Sequence, residues 1–248
     1  MSVHLSSSLA LFFALFAQVS TAQTTLTVAA AADLSSLLPQ LQQPFEKTGG
    51  IRLRFVIGPS AALAQQIENG APYDVFLSAN AEYVDRLAAN RKIEANSIRT
   101  YATGRVALLW RDKKPHHFND LAENWVRFVA LPNPKLAPYG VAAQQALERA
   151  GIWKEVQPKV VYGENVRQTL ELFDSGNADA VLTADSLVQG REGTVIPQSW
   201  HQPIIQKAGI VSARPNQAAA EKFLRFLLSP AGQAVFARFG FGSSGRSM

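Results

Sequence analysis

The sequence predicts an α/β fold built on parallel sheets, and three observations carry that prediction. Short apolar runs alternate with amphipathic stretches along nearly the whole chain. Glycine stands where several amphipathic stretches end, at Gly49-Gly50, Gly70, Gly151 and Gly176. The joints that lead from an apolar run into an amphipathic stretch are short and made of small or turn-forming residues.

The elements follow in order. Leu26–Ala30 is a short apolar strand. From Leu34 to Lys47 apolar residues recur at Leu34, Leu37, Leu38, Leu41 and Phe45, the rhythm of one helix face. Pro39 either kinks that helix or marks where its regular part begins. Ile51–Ile57 alternates as a strand, Gly58-Pro59-Ser60 turns, and Ala61–Asn69 is helical. Tyr73–Ser78 is a strand and Ala81–Asn90 a helix. Val106–Trp110 and Val126–Leu131 are strands, followed by a helix over Val141–Ala150. Val160–Tyr162 is a strand, Val166–Ser175 a helix and Asp179–Leu182 a strand. Two terminal helices, Ala219–Leu228 and Ala231–Phe239, are split by Ser229-Pro230, where serine can cap a helix that has proline in its first position. No repeat of 20–50 residues and no low-complexity segment interrupts this plan.

Residues 1–22 are set apart from the fold. The apolar run Leu9–Ala17 is too short to span a bilayer, and Ser20-Thr21-Ala22 places small residues where a leader is cleaved. These residues are read as a signal peptide, and the mature chain as an exported, periplasmic protein. Of the 248 residues 47% are hydrophobic, enough for one large core or two small ones. The absence of cysteine excludes disulfides, thiolate metal sites and lipid attachment through cysteine. The net charge of +5 is spread out, the densest group being Arg111, Lys113 and Lys114 beside His116 and His117. With no basic stripe interleaved with aromatics, nucleic acid is not an expected partner.

In open α/β sheets, ligands bind beyond the carboxyl ends of strands, where helices begin. Four such joints are legible: Ala32-Asp33, Gly58-Pro59-Ser60, Pro138-Tyr139-Gly140 and Gly163-Glu164-Asn165-Val166. The first N–H groups of each helix lack partners inside it, and the terminus carries roughly half a positive charge. Several such ends aimed at one cleft bind an oxyanion without lysine or arginine.

These segments resemble the periplasmic molybdate-binding proteins of ABC transporters. The resemblance rests on "TVAAAADL", "GPSAALAQQIENGAPYDVFLSAN", "LPNPKLAPYG", "ENVRQTLELFDSGNADAVL" and "LLSPAGQAVFARFGF", and covers roughly residues 25–241. Its most specific part is Ser60–Ile67 with the Asn69–Pro72 and Asp74–Ala79 segments that follow. It implies a two-lobed type 2 periplasmic-binding-protein fold with the hinge crossed twice and the ligand cleft between the lobes. Lobe one would be 23–103 with 208–248, and lobe two 104–207, the run Ala208–Val211 making the return. The resemblance further implies a monomer that is not an enzyme and needs no cofactor. Its ligand would be molybdate or tungstate, held as an oxyanion rather than as a free metal cation, and its partner the membrane permease of an ABC importer.

Five residues carry over as ligand-binding positions. Ser60 matches a serine that donates hydroxyl and N–H. Tyr139 stands where a backbone N–H is donated, and its phenol can enter the same cleft. Val166 matches a valine at a helix start. Asp33 and Thr183 depart from the pattern, standing where many members have serine and tyrosine. Asp33 can be read as the N-cap of its helix, accepting from Ser35 or Ser36 N–H, worth about 1 kcal/mol. It can also be a direct ligand, to the metal centre or a proton of an oxyanion or to a cation, or a contact that fixes lobe closure. A carboxylate about 4 Å from an anionic charge costs roughly 4 kcal/mol at an effective dielectric near 20. The capping reading is the expectation taken forward.

Rival readings are a binding protein for another oxyanion or a metal-containing ligand, an exported hydrolase, and the effector domain of a regulator. Ser60 lacks a Gly-x-Ser-x-Gly elbow, and no phosphate-binding Gly-x-x-x-x-Gly-Lys is present. The adjacent His116-His117 lack the i, i+4 spacing of a helical metal pair and read as a solvated turn.

Overall fold

A computed structural model describes residues 23–112, 114 and 116–243, so the expected signal peptide and Lys113 lie outside the described residues. Two five-stranded sheets organise the chain. The first contains β1 (Thr25–Ala31), β2 (Arg52–Gly58), β3 (Val75–Ser78), β4 (Arg99–Gly104) and β10 (Ile204–Ile210), in the order β2-β1-β3-β10-β4. The second contains β5 (Val106–Trp110), β6 (Val129–Pro132), β7 (Val160–Gly163), β8 (Ala180–Ala184) and β9 (Thr194–Val195), in the order β7-β6-β8-β5-β9. This is the two-lobed α/β architecture that the resemblance implies.

The sheets are mixed rather than parallel throughout. β2, β1 and β3 are parallel, as are β7, β6 and β8. β10 runs antiparallel to both β3 and β4, and β5 antiparallel to both β8 and β9. The strands that break the parallel rule are those at the crossings between sheets. The chain leaves the first sheet at Gly104 and enters the second at Val106, then returns between Val195 and Ile204. β10 therefore begins at Ile204, earlier than the Ala208 read from sequence. β4 (Arg-Thr-Tyr-Ala-Thr-Gly) carries too few apolar residues to be read as a strand without its neighbour.

The central strands are apolar on both faces because both faces are covered. From Leu26 onward β1 is buried at every position, as is all of β3, β6 and β8. On the first sheet, α1 (Leu38–Gly49), α7 (Gln217–Leu228) and α8 (Pro230–Arg238) pack one face through Leu41, Phe45, Phe223 and Phe236. α2 (Ser60–Glu68) and α3 (Ala81–Ala89) pack the other through Leu63, Ile67, Val84 and Leu87. On the second sheet α4 (Pro138–Arg149) and the short α5 (Trp153–Val156) cover one face through Ala143, Leu147 and Val156, and α6 (Val166–Asp174) covers the other through Phe173.

Local signals explain the boundaries. α1 begins at Leu38 with Pro39 in its first turn, so Pro39 starts the regular helix rather than kinking it. Gly50 closes it in the left-handed region at φ 62°. Ser229 caps α8, its hydroxyl accepting from Gly232 N–H at 3.3 Å. His116 departs from the solvated turn read in sequence: its ring stacks against Trp110 and Trp125, and Nε2 lies 3.0 Å from the Asp112 carboxylate.

Candidate functional site

The two sheets wind alike, and the site grows from matching joints in each. β1 ends in a single 3-10 turn, Ala32–Leu34, that carries Asp33. β2 feeds α2, which starts at Ser60. β6 leads to α4, which starts at Pro138-Tyr139, and β7 to α6, which starts at Val166. The four joints meet across a narrow cleft of ≈ 10 Å³, about the room of one water-sized sphere, lined by Asp33, Ser60, Tyr139 and Val166 together with Ala, Pro, Gly and Asn residues. Among the described residues no lysine or arginine lines it. A roomier groove of ≈ 540 Å³ on the first lobe, lined by Glu94, Arg99, Arg214, Glu221 and Arg225 among others, mixes charges of both signs and lacks converging helix starts.

Three of the four joints leave donors for a ligand. The N-cap of α2 is Pro59, which has no capping side chain, so the first amides of α2 find no partner within the helix. Ser60 Oγ accepts from Ala79 N–H at 3.1 Å, which leaves the hydroxyl proton for another acceptor. In α6 the Asn165 carbonyl oxygen Oδ1 accepts from Arg167 and Gln168 N–H, both at 3.0 Å, and Val166 N–H remains. In α4 the Gly140 and Val141 amides turn back to Ala137 O, leaving Tyr139 N–H. Gly140 makes that turn possible: a Cβ there would meet the backbone of Pro132, and Pro134 N at 2.8 Å.

Asp33 is bound into the protein rather than into its own helix start. The N-cap of its turn is Ala31, with no side-chain cap, so the expected capping of Ser35 or Ser36 does not occur. Instead Oδ2 accepts from the Tyr139 phenol at 2.8 Å and from Gln206 Nε2 at 2.7 Å. The amide of Gln206 is oriented in turn, because Tyr101 donates its phenol to Oε1 at 2.9 Å. The Asp33 backbone carbonyl accepts from Ser186 Oγ at 2.6 Å. Strands and helices of both sheets thus converge on one carboxyl that is 1% exposed. Gly104 ends β4 beside this network, and a Cβ there would collide with the Tyr139 phenol.

Burial dominates the chemistry of that carboxyl. Desolvation raises the Asp33 pKa from 3.8 to about 6, and the donors Tyr139 and Gln206 offset only part of the rise. The N–H groups of Asp33 and Leu34 also favour the charged form, yet neither makes a hydrogen bond of good geometry, and Oδ1 is buried without a partner among the described residues. Burial and the neighbouring Asp33 hold the Tyr139 phenol well above the ordinary tyrosine range.

Four of the five sequence-predicted residues therefore come together. Thr183 does not line the cleft: it is fully buried on β8 and donates its hydroxyl to Val166 O at 2.9 Å, behind the joint. A threonine is too short to pass the α6 backbone that lies between it and the cleft. Sequence reading missed Gln206, Tyr101 and Ser186. Gln206 and Ser186 bond to Asp33 and Tyr101 to Gln206, all from distant parts of the chain, and none stands in a motif that marks it.

Comparison with known proteins agrees with this fold. The family model for bacterial extracellular solute-binding proteins matches residues 26–242. The molybdate-binding protein ModA of Azotobacter vinelandii is 31% identical over 225 residues, 87% of this chain and 88% of its own length. ModA of Rhodobacter capsulatus is 31% identical over 219 residues, 86% of each chain. A solved structure of the A. vinelandii periplasmic molybdate-binding protein superposes with a TM-score of 0.82 at 31% identity, covering 87% of this chain and 98% of that one. The helix starts that face one another across the cleft thus sit in a scaffold of known kind, and the chain belongs to the bacterial extracellular solute-binding protein family.

Proposed function

We propose that this protein captures a tetrahedral oxyanion, molybdate or tungstate, outside the cytoplasm and delivers it to the membrane permease of an ABC importer. The observation that carries this reading is the cleft in which the starts of α2, α4 and α6 converge with the Ser60 hydroxyl and without lysine or arginine among the described residues. Such a set of neutral donors neutralises an anion through helix ends and hydrogen bonds, and it fits an oxyanion that has shed its water. The relatives named as molybdate-binding proteins support the choice of anion. Ser60 supplies hydroxyl and N–H, Tyr139 and Val166 supply N–H, and Asp33 borders the ligand. The protein acts as a monomer, and its two lobes, divided after Gly104 and again between Val195 and Ile204, close on the ligand by a hinge motion. No helix among the described residues is long and apolar enough to cross a membrane.

Calorimetric titration of the chain from Gln23 onward with molybdate, tungstate, sulfate, phosphate and ferric ion tests the reading. Molybdate and tungstate should bind one per chain and more tightly than sulfate or phosphate. Binding of ferric ion alone would overturn the oxyanion assignment and make Asp33 a metal ligand.

A further inference from the structure

The Asp33 carboxyl has one oxygen fully engaged and one with no partner. Oδ2 accepts two hydrogen bonds, from the Tyr139 phenol and from Gln206 Nε2, which use both of its in-plane lone pairs. The direction of both bonds is fixed. Gln206 Oε1 is taken by Tyr101, so its nitrogen must face Asp33. The Tyr139 oxygen also receives a longer contact from Gln206 Nε2, at 3.5 Å, so its own proton goes to Asp33. A proton on this carboxyl therefore belongs on Oδ1. Oδ1 is buried and unpartnered among the described residues, and Asp33 lines the cleft of converging helix starts. An ionised carboxylate in that place would oppose a dianion, whereas a neutral acid offers one more donor.

We propose that Asp33 serves the site as a neutral carboxylic acid, its proton on Oδ1 and donated to an oxygen of the bound oxyanion. Capture of the dianion then takes up one proton from solution and weakens as the medium becomes alkaline. This deepens the oxyanion reading above and rests on it. The step balances: the aspartate anion, one proton and the dianion give the neutral acid hydrogen-bonded to the dianion, and no covalent bond to the ligand forms.

The surroundings agree. The titratable groups that face Asp33 are Tyr139 from α4 and Tyr101 from β4, and burial holds both phenols well above the ordinary tyrosine range. Asp185, after β8, lies near Tyr139, and burial raises it as well. Arg105 acts on Asp185. Among the described residues no lysine, arginine or histidine makes a hydrogen bond or ion pair with Asp33 that would hold it ionised. The free site titrates near 6, so the acid form is plentiful at and below that pH and scarce from neutrality upward.

The test is titration calorimetry with molybdate and with tungstate between about pH 6 and about pH 8, in buffers of differing ionisation enthalpy. The wild type should take up close to one proton per anion at the alkaline end, and its affinity should fall roughly fiftyfold over that range. Asp33→Asn should abolish both effects. Its amide oxygen can accept from Tyr139 and Gln206 while its N–H₂ replaces the acid proton. It should therefore bind with the same affinity at every pH, and more tightly than the wild type at about pH 8. Wild-type affinity that stays level, with no proton uptake, would overturn the proposal, as would an Asp33→Asn variant that melts normally yet binds more weakly than wild type at about pH 8. If the variant does not fold, proton uptake by the wild type decides alone. Failure of the wild type to bind either anion at any pH would overturn the oxyanion reading itself, and this proposal with it.

Discussion

The two lobes are wound to one pattern and use it to opposite ends. In each, three parallel strands run in the order second, first, third, and the first two lead into the site. The β2 joint of lobe one and the β7 joint of lobe two start helices at Ser60 and Val166, with amides and a hydroxyl left for a ligand. The β1 joint and the β6 joint carry Asp33 and Tyr139, and these two side chains are bound to each other at 2.8 Å. One pair of equivalent joints therefore keeps its polarity for the ligand, while the other spends most of it across the lobes. The difference lies in how each joint turns. β1 passes into a single 3-10 turn that tucks Asp33 inward, and α4 starts over the end of β6, its approach allowed by Gly140. A ligand cleft of this kind needs both kinds of joint: donors that remain unsatisfied until the anion arrives, and a contact that holds the closed shape.

The open pair breaks first. Ser60→Ala should weaken oxyanion binding by about ten- to a hundredfold, because a donor to a buried anion is worth about 1–3 kcal/mol. The same change removes the acceptor of Ala79 N–H, so it damages the joint from two sides. Calorimetry with molybdate measures it, with the melting temperature as the check on folding. An unchanged dissociation constant in a folded variant would take Ser60 out of the site.

How much of this can be read from the chain divides along the same line. Ser60, Tyr139 and Val166 are legible because helix starts are local events, written in Gly-Pro-Ser, Ala-Pro-Tyr-Gly and Glu-Asn-Val. Asp33 misleads for the same reason. An aspartate followed by Leu-Ser-Ser suits a capping residue, and only partners 106 and 173 positions away make it something else. Gln206 lies on a strand whose first half reads as a loop, since its pairing to β3 and β4 comes from across the crossing. The central strands, apolar on both faces, are visible as continuous runs. Of the strands at the crossings, β5 is legible as the apolar run Val106–Trp110, whereas β4 and β9 are not, because alternation is weak in β4 and β9 is two residues long.

The closed pair should yield less. Tyr139→Phe keeps the ring and the backbone N–H but removes one of the two donors to Asp33 Oδ2. The phenol does not depend on the anion for a partner, so binding at about pH 6 should weaken by roughly three- to tenfold, less than for Ser60→Ala. The sign of the second effect is fixed: a donor lost from the charged form raises the Asp33 pKa further above about 6. The alkaline decline in affinity should therefore begin at higher pH in Tyr139→Phe than in the wild type. A decline that moves to lower pH would break the assignment of the phenol as a donor to Asp33.

The smallest effect belongs to Thr183, the residue that the resemblance places at the ligand and the structure places behind it. Its hydroxyl reaches Val166 O at 2.9 Å, on the far side of the joint from the cleft. That carbonyl lies in the first turn of α6, where it also serves the helix, so it loses only a second donor when the hydroxyl goes. Thr183→Val is close to isosteric, and the position is fully buried between β5 and β6 on β8. One neutral hydrogen bond between a buried side chain and backbone is worth about 1 kcal/mol. Denaturant unfolding should register a loss of that size, and the melting temperature should fall by a few degrees. Affinity for molybdate should stay within about threefold, because Val166 N–H keeps its place at the helix start. A tenfold loss of affinity at near-wild-type stability would mean that the hydroxyl leaves Val166 O for the anion on binding. The second lobe would then contribute a side-chain donor opposite Ser60, and the division between its open and closed joints would have to be redrawn.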